Sequence, residues 1–165
     1  MPPSIKMPHT FVNSASIWIV AGETMKVTKY SEVLVGQSVQ IVHTVTEKDV
    51  ETFGSLTGDF NPLHFNEEWA KTTIFKGRIA HGLLTASFIS TAIGMKLPGP
   101  GTIYLGQSLS FKRPVRIGDT ITTKAEVVRK DDEKEHITLK TECTNQRGEA
   151  VLAGEATVAL LRMTE

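Results

Sequence analysis

Residues 81–95 carry almost nothing but apolar side chains, and the polar residues that follow His81 within this stretch are small hydroxyls. These are Thr85, Ser87, Ser90 and Thr91. A helix that is apolar on nearly all sides has to be buried, so the pattern predicts one long helix inside the protein. About fifteen residues, each rising roughly 1.5 Å, make it about 22 Å long. The Pro/Gly run at 98–101 ends it.

After that stop, apolar and polar residues alternate at every second position, as they do in half-buried strands. Four segments follow this pattern: 102–112, 119–129, 135–143 and 150–161. Turn-forming sequences separate them, among them Arg113-Pro114 and Asn145-Gln146-Arg147-Gly148. This spacing predicts four strands arranged as an antiparallel meander.

The segment before the long helix predicts one more strand and two shorter helices. Residues 36–44 alternate as a strand, and Thr46 is a good N-cap for the helix that follows. We expect the apolar face of that helix to consist of Val50, Phe53 and Leu56. Gly58 ends it, and Asn66 caps a second, shorter helix.

A long antiparallel sheet paired with one apolar helix is expected to curl around it, which predicts an α+β fold. We assign this fold to a single domain, residues 36–162. Residues 1–35 are predicted to be an N-terminal extension that packs on the domain surface, with a short strand at 16–20 and a turn at Ala21-Gly22.

Charge and cysteine content narrow the possible partners and location. Lysine plus arginine equals aspartate plus glutamate, 18 of each, so no field favours nucleic acid or an anionic membrane. There is no run of 18 apolar residues to cross a bilayer. The single cysteine, Cys143, is predicted to be core filling that faces inward with Ile137, Leu139 and Thr141. It suits a reducing compartment: the cytoplasm or, in a eukaryote, the mitochondrial matrix.

Asp59 and His64 are the best candidates for acid/base chemistry. On a continuous helix their side chains would point about 140° apart, and in a strand they would lie on opposite faces. Asn61-Pro62 interrupts both structures, so a bend can direct the two side chains into one pocket. A capping role for Asp59 and a solvent-facing His64 are the ordinary alternatives.

The remaining polar residues have simpler interpretations. His81 is predicted to be an ordinary histidine near a helix end, although Gly82 beside it offers backbone N–H groups that could hold a negative charge. Ser90 is predicted to bond back to its own helix. The five histidines are scattered without ligand spacing on one element, so no metal is expected. There is no phosphate-binding loop or nucleophile elbow, and no cofactor is expected.

The run TGDFNPLHFNEEWAKTTIFKGRIAHGLLTASFIS resembles the hydratase signature of the MaoC-type, (R)-specific enoyl-CoA hydratase family. The stretch LPGPGTIYLGQSLSFKRPVRIGDTIT is similar to the same family. The resemblance spans about residues 36–161, and no position of the signature departs from it. It implies a hot-dog fold, in which a curled antiparallel sheet wraps one long helix. Carried over, the catalytic residues fall on Asp59 and His64, the thioester-binding N–H on Gly82, and supporting residues on Asn61 and Ser90.

The resemblance implies a hydro-lyase that adds water reversibly to trans-2-enoyl-CoA, giving (R)-3-hydroxyacyl-CoA. The same chemistry run backwards on acyl carrier protein, as a 3-hydroxyacyl-thioester dehydratase of fatty-acid synthesis, is the alternative. A hot-dog thioesterase or a domain that only binds acyl thioesters is a third, which intact Asp59, His64 and Gly82 disfavour. Because relatives pair edge to edge, a homodimer is expected, with acyl-CoA or acyl carrier protein thioesters as partners.

Overall fold

The structure of the protein is a computed structural model that describes residues 17–20 and 23–162. Eight strands are described: β1 Ile17–Val20, β2 Glu23–Lys26, β3 Ser38–Thr44, β4 Thr102–Gln107, β5 Ser110–Phe111, β6 Thr120–Asp131, β7 His136–Thr144 and β8 Ala150–Leu160. The helices are α1 Glu47–Thr57, α2 Pro62–Phe65, α3 Glu67–Lys71 and α4 Gly82–Met95, with a 3-10 turn at Tyr30–Glu32. The predicted turn at Ala21-Gly22 lies outside the described residues.

β1 and β2 pair as a separate hairpin, and the other strands form one antiparallel sheet. Its order is β3-β6-β7-β8-β4, with β5 also paired to β8. The predicted four-strand meander is therefore wrong at its first strand. Of the four predicted strands, only β6, β7 and β8 are neighbours in the sheet in their order along the chain. β4 pairs with the far side of β8, and after β4 and β5 the chain crosses back to place β6 beside β3. Turn signals report where strands end, not which edge the next strand joins.

The predicted strand at 102–112 is also interrupted. β4 pairs with β8 in register up to Tyr104, and the register shifts before Gly106, so the strand contains a bulge. β5 then continues along β8 as a separate short strand. β8 allows this close approach through Gly154, where a Cβ atom would lie 1.8 Å from the carbonyl oxygen of Ser108.

α4 lies against β3, β4 and β6, and its inner side forms the core with the sheet. The buried apolar residues of α4 are Leu84, Ile89, Ala92 and Ile93, and their neighbours on the sheet include Ile121, Ala125, Val127, Leu139 and Val158. The predicted inward alternation of β7 is confirmed, because Ile137, Leu139, Thr141 and Cys143 are all 0% exposed.

The prediction that α4 is buried on all sides is wrong. One side of it is exposed, and Leu83 at one end is 59% accessible while Met95 at the other is 39% accessible. The hydroxyl-bearing Ser87, Ser90 and Thr91 lie on this side as well. A single sheet can cover only one side of a helix, and no other part of the described chain buries the second. We call this surface, formed by the residues just named, the outer face of α4.

α1 holds the segment that precedes Asp59. Thr46 caps its N-terminus by accepting a hydrogen bond from the Asp49 N–H, and Gly58 ends it at a φ of 78°. Leu56 does not belong to its buried face, since it is 82% exposed. The buried side includes Gly54 instead, where the Phe65 ring approaches so closely that a Cβ atom would lie 2.5 Å from it. Gly54 therefore lets α2 pack directly on α1.

The core extends upstream of the predicted domain boundary at residue 36. Val33 is 1% exposed and belongs to the same core cluster as α4 and the sheet. The division into an extension at 1–35 and a domain at 36–162 stays a prediction. In the described part of the chain, no helix combines the length and the apolar character needed to span a membrane.

Alanine should have opposite effects on stability at Gly58, the C-cap of α1, and at Gly94, which lies within α4. Gly58 has a left-handed backbone, so Gly58→Ala should lower the free energy of unfolding by about 1 kcal/mol. Gly94 lies within α4 with open space around its Cα, so Gly94→Ala should raise that free energy by up to about 1 kcal/mol. Urea denaturation followed by circular dichroism measures both changes. If both substitutions changed the free energy of unfolding in the same direction, that result would contradict this account of α1 and α4.

Candidate active site

The segment after α1 is a tight turn built by side chains that bond to nearby backbone. The Asp59 N–H donates to the Thr57 hydroxyl, and Asp59 Oδ1 accepts the Asn61 N–H, both at 3.2 Å. Asn61 Oδ1 accepts the Leu63 N–H at 3.0 Å and so caps α2, whose first residue is Pro62. The predicted bend is thus a single helical turn in the structure. The Asn61 side chain stabilises this turn by bonding to the backbone N–H of Leu63.

His64 lies on that helical turn, and the residue is 8% exposed. Its Nδ1 is 2.8 Å from the backbone oxygen of Ile79. A carbonyl oxygen only accepts, so Nδ1 carries the proton and the neutral ring keeps a free lone pair on Nε2. Arg78 Nε donates to the His64 carbonyl oxygen at 2.6 Å and holds its backbone.

Burial lowers the pKa of His64 below its ordinary value, because the charged ring loses contact with water. The bond to the Ile79 carbonyl opposes this shift in pKa, and so does the charge of Asp59. His81 and Arg78 add to it by repulsion. A lowered pKa keeps the imidazole neutral, and hence able to accept a proton, at mildly acidic pH.

His81 lies at a helix end, as predicted, and in that position it contacts both of these residues. It is the N-cap of α4 and is 2% exposed. Its Nε2 donates to the backbone oxygen of Asp59 at 3.0 Å and lies 3.9 Å from Asp59 Oδ2. Its ring centroid is 3.8 Å from that of His64, with 35° between the planes. Its Nδ1 has no hydrogen-bond partner among the described residues.

The fold therefore gathers a carboxylate and two imidazoles. One ligand-type atom from each of Asp59, His64 and His81 lies within 4.8 Å of the others. Asp59 is half exposed, whereas both histidines are buried, so the cluster opens to solvent on its carboxylate side. Such a set can hold a water molecule between proton acceptors. Its carboxylate oxygen and imidazole nitrogen atoms are also of the type that coordinates zinc. The scattered positions of the histidines in the sequence concealed this grouping.

Gly82 begins α4 directly after His81, as predicted. The His81 side chain makes no capping hydrogen bond, so the first backbone N–H groups of the helix lack a side-chain cap. The Phe111 ring packs against Gly82 so closely that a Cβ atom would lie 2.8 Å from it. Only glycine leaves room here for Phe111 and an accessible helix N-terminus together.

A cavity of about 270 Å³ adjoins this helix end. Gly82 and Thr85 of α4 form one wall, and much of the remainder is apolar: Phe75, Ile79, Phe111, Val115, Val151 and Leu152. Lys112 and Arg113 also line it and supply positive charge. Thr85 is 2% exposed, and within the described chain its hydroxyl has no hydrogen-bond partner. The cavity can take a largely apolar molecule or the apolar part of a larger one.

Ser90 is not part of the cluster of Asp59, His64 and His81. It lies eight residues beyond Gly82, about 12 Å along the helix, on the exposed outer face of α4. Its predicted supporting role stays a prediction.

Three residues near the cluster were not assigned to it from the sequence. For His81, the one indication in the sequence of a place in the site is its position directly before Gly82 at a predicted helix start. Arg78 and Thr85 carried no signal, because only the fold shows that one holds the His64 backbone and the other lines the cavity.

Known proteins resemble this chain over most of its length. The sequence profile of the MaoC-like domain matches residues 31–147. A protein of Rhodospirillum rubrum named (R)-specific enoyl-CoA hydratase is 50% identical over 129 residues, which cover 78% of this chain and 89% of that protein. The protein of the same name from Aeromonas caviae is 44% identical over 126 residues, covering 76% and 94% respectively.

A solved structure agrees with the described fold. The (R)-hydratase of Aeromonas caviae superposes with a TM-score of 0.76 at 43% sequence identity. The superposition covers 79% of this chain and 98% of that one. The predicted hot-dog fold, an antiparallel sheet against one long helix, is thereby confirmed.

Proposed function

The chain belongs to the family of MaoC-like domains, and from that premise we propose that it is an (R)-specific 2-enoyl-CoA hydratase. This hydro-lyase adds water reversibly to trans-2-enoyl-CoA and yields (R)-3-hydroxyacyl-CoA. The observation that carries the proposal is the position of Asp59 and His64, close together at the uncapped start of α4. Hydration of an enoyl thioester needs a proton acceptor for water, a proton source and a donor to the carbonyl oxygen.

Asp59 and His64 hold and activate one water molecule in this proposal. The bond from His64 Nδ1 to Ile79 leaves Nε2 as an acceptor, and the Asp59 carboxylate accepts as well. The water oxygen forms a bond to C3 of the substrate while one of its protons passes to this pair. The C2–C3 π electrons move towards the carbonyl, and C2 then takes a proton from the Asp59/His64 pair, which returns the pair to its starting protonation state. Either residue can accept the first proton.

Gly82 serves the carbonyl end of the same reaction. Negative charge develops on the thioester oxygen as C3 is attacked, and a backbone N–H at a helix N-terminus stabilises it. The cavity beside Gly82 is the proposed site for part of the thioester, since its largely apolar walls and its two cationic residues match a molecule with apolar and anionic parts.

The carrier-protein dehydratase alternative is less supported. Both relatives reported above carry the enoyl-CoA hydratase name, and they share 50% and 44% identity with this chain. Rates with matched CoA and acyl carrier protein thioesters, in both directions, distinguish the two activities. The thioesterase or simple binder is also less supported. The relatives reported above are named hydratases, and a simple binder would not need the acid/base pair proposed here.

We also propose that two copies pair through β4. This strand is at the end of the sheet order and exposes Ile103, Tyr104 and Leu105, each at least 38% accessible. The outer face of α4, from Leu83 to Met95, is exposed as well. A long apolar edge is a liability unless it is paired, and pairing two β4 edges continues the sheet across both subunits.

Asp59→Asn and His64→Ala should each remove most of the activity if the two residues act as one unit. Asp59→Asn keeps the shape but loses the charge, and His64→Ala loses the titrating group. A general acid/base group typically contributes about 10²–10⁴-fold. Members of one catalytic unit are non-additive, so the double variant should be scarcely slower than the slower single variant. The assay is loss of enoyl absorbance from crotonyl-CoA.

Circular dichroism controls for folding, and His64→Gln is a milder second variant because His64 is buried. A folded single variant that retains more than about a tenth of wild-type kcat would remove that residue from the mechanism. The wild-type product should be the (R)-3-hydroxyacyl thioester. An (S) product would place water on the wrong face of the substrate.

Sedimentation at micromolar concentration should show a species of twice the 18.1 kDa chain mass. Ile103→Glu, which places a charge on the β4 edge, should shift it to the monomer. Val42→Glu is the matched control, since Val42 is 65% exposed on β3 at the opposite edge of the sheet. A wild-type monomer, or equal dissociation by both substitutions, would refute pairing through β4.

Activity should survive EDTA followed by exhaustive dialysis. Asp59 and His64 handle water without a metal in the proposed reaction, although the cluster with His81 has donors suited to zinc. A sample dialysed without chelator is the control. If activity disappears with EDTA and returns with added zinc, the cluster is a metal centre and the acid/base assignment fails.

A further inference from the structure

We propose that His81 is a positioning residue that holds Asp59 and His64 in the relative arrangement needed to share one water molecule. The proposal rests on the function assigned above and adds a third residue to that site. His81 contacts each of the other two residues. His81 itself does not have to touch the substrate.

The first contact fixes Asp59. Asp59 follows the C-cap of α1, and its own side chain is half exposed, so the carboxylate is not held by packing. The bond from His81 Nε2 to its backbone oxygen, at 3.0 Å, ties this residue to the N-terminus of α4. Asp59 Oδ2 then lies 3.9 Å from the same nitrogen. The carboxylate is therefore placed from two sides: Asp59 Oδ1 accepts the Asn61 N–H at 3.2 Å, and His81 holds the backbone of Asp59.

The second contact fixes the His64 ring. One edge of this ring is anchored through Nδ1 to Ile79, but a single hydrogen bond leaves rotation about it possible. The His81 ring lies against the face of His64, with centroids 3.8 Å apart. Phe53 packs against His81 with centroids 4.9 Å apart and restricts His81 in turn. The hydrogen bond and the ring contact together restrict the orientation of His64.

These contacts require two properties in one side chain: a planar ring and an N–H donor at its far end. Phenylalanine supplies only the ring, and glutamine supplies only the donor. The unpartnered Nδ1 shows that the second nitrogen makes no structural bond within the described chain, and burying such an atom costs stability.

The charges around His64 give the proposal a readout independent of the reaction. Asp59 faces it from the turn, His81 from the start of α4, and Arg78 from the connection that leads to α4. Phe53 of α1 is neutral. After burial, His81 is among the groups that lower the pKa of His64, and Asp59 raises it. Removing the His81 imidazole should therefore raise the pKa of His64.

The decisive variant is His81→Phe, which keeps the ring and removes the donor. We expect kcat for crotonyl-CoA hydration to fall by at least about tenfold, since small displacements of catalytic groups carry losses of up to about 10². KM should change less than threefold, because His81 is not assigned to substrate binding. The His64 titration followed by NMR should move to higher pH, and the acid limb of kcat should move with it.

His81→Gln and His43→Phe complete the experiment. Glutamine retains a donor for the Asp59 carbonyl, so its kcat should exceed that of His81→Phe. His43 is the matched control: it bonds to Asp49 at 3.0 Å and packs against Phe88, but belongs to β3 and not to the cluster. His43→Phe should leave kcat, KM and the His64 titration unchanged.

The outcomes separate this inference from the proposed function. Wild-type protein that does not hydrate crotonyl-CoA refutes the function. Active wild-type protein with a folded His81→Phe variant whose kcat is within threefold and whose His64 titration is unmoved refutes the positioning role. A loss confined to thermal stability, equal in His81→Phe and His81→Gln, would make His81 structural only and would also refute it.

Discussion

Burial of one side of α4 against the sheet determines where the chemistry of this protein can be. The helix is fixed by Leu84, Ile89, Ala92 and Ile93, so its first turn lies at a set place beside the end of α1. Gly82 begins that first turn, and His81 is the N-cap directly before it. The turn from Asp59 to His64 is short, and its hydrogen bonds are local. Its position relative to Gly82 depends on the contacts that His81, at the fixed helix end, makes with Asp59 and His64.

Polar atoms without partners concentrate at this helix end. Among the described residues, the two buried side-chain atoms without a hydrogen bond are His81 Nδ1 and Thr85 Oγ1, one helical turn apart. The His64 lone pair and the first N–H groups of α4 are near them. Each such group costs stability when it is buried, and the rest of the core is well satisfied. Such a grouping is typical of a place where polar groups are kept for a ligand and not for the fold.

Local signals in the sequence predicted local structure well. The cap at Thr46, the glycine at 58 and the Asn66 cap placed α1 and α3, and Asn61-Pro62 placed the bend that brings Asp59 towards His64. Long-range features could not be predicted this way. Alternation identifies strands but not that β4 joins β8, and apolar content does not show which side of α4 a sheet leaves open. His81 was missed for the same reason: its partners are 17 and 22 residues away.

The uncovered side of α4 connects assembly to chemistry in the proposed enzyme. Leu83 is the neighbour of Gly82, and its side chain is 59% exposed. A surface that shields Leu83 would lie close to the first turn of α4, where the Gly82 N–H is proposed to bind the thioester oxygen. Excluding water there strengthens a hydrogen bond to developing charge, because electrostatic interactions are stronger in a low-dielectric environment. A partner chain seated on the outer face of α4 would thus complete a wall of the site, whereas a monomer would leave the same helix end in contact with bulk water.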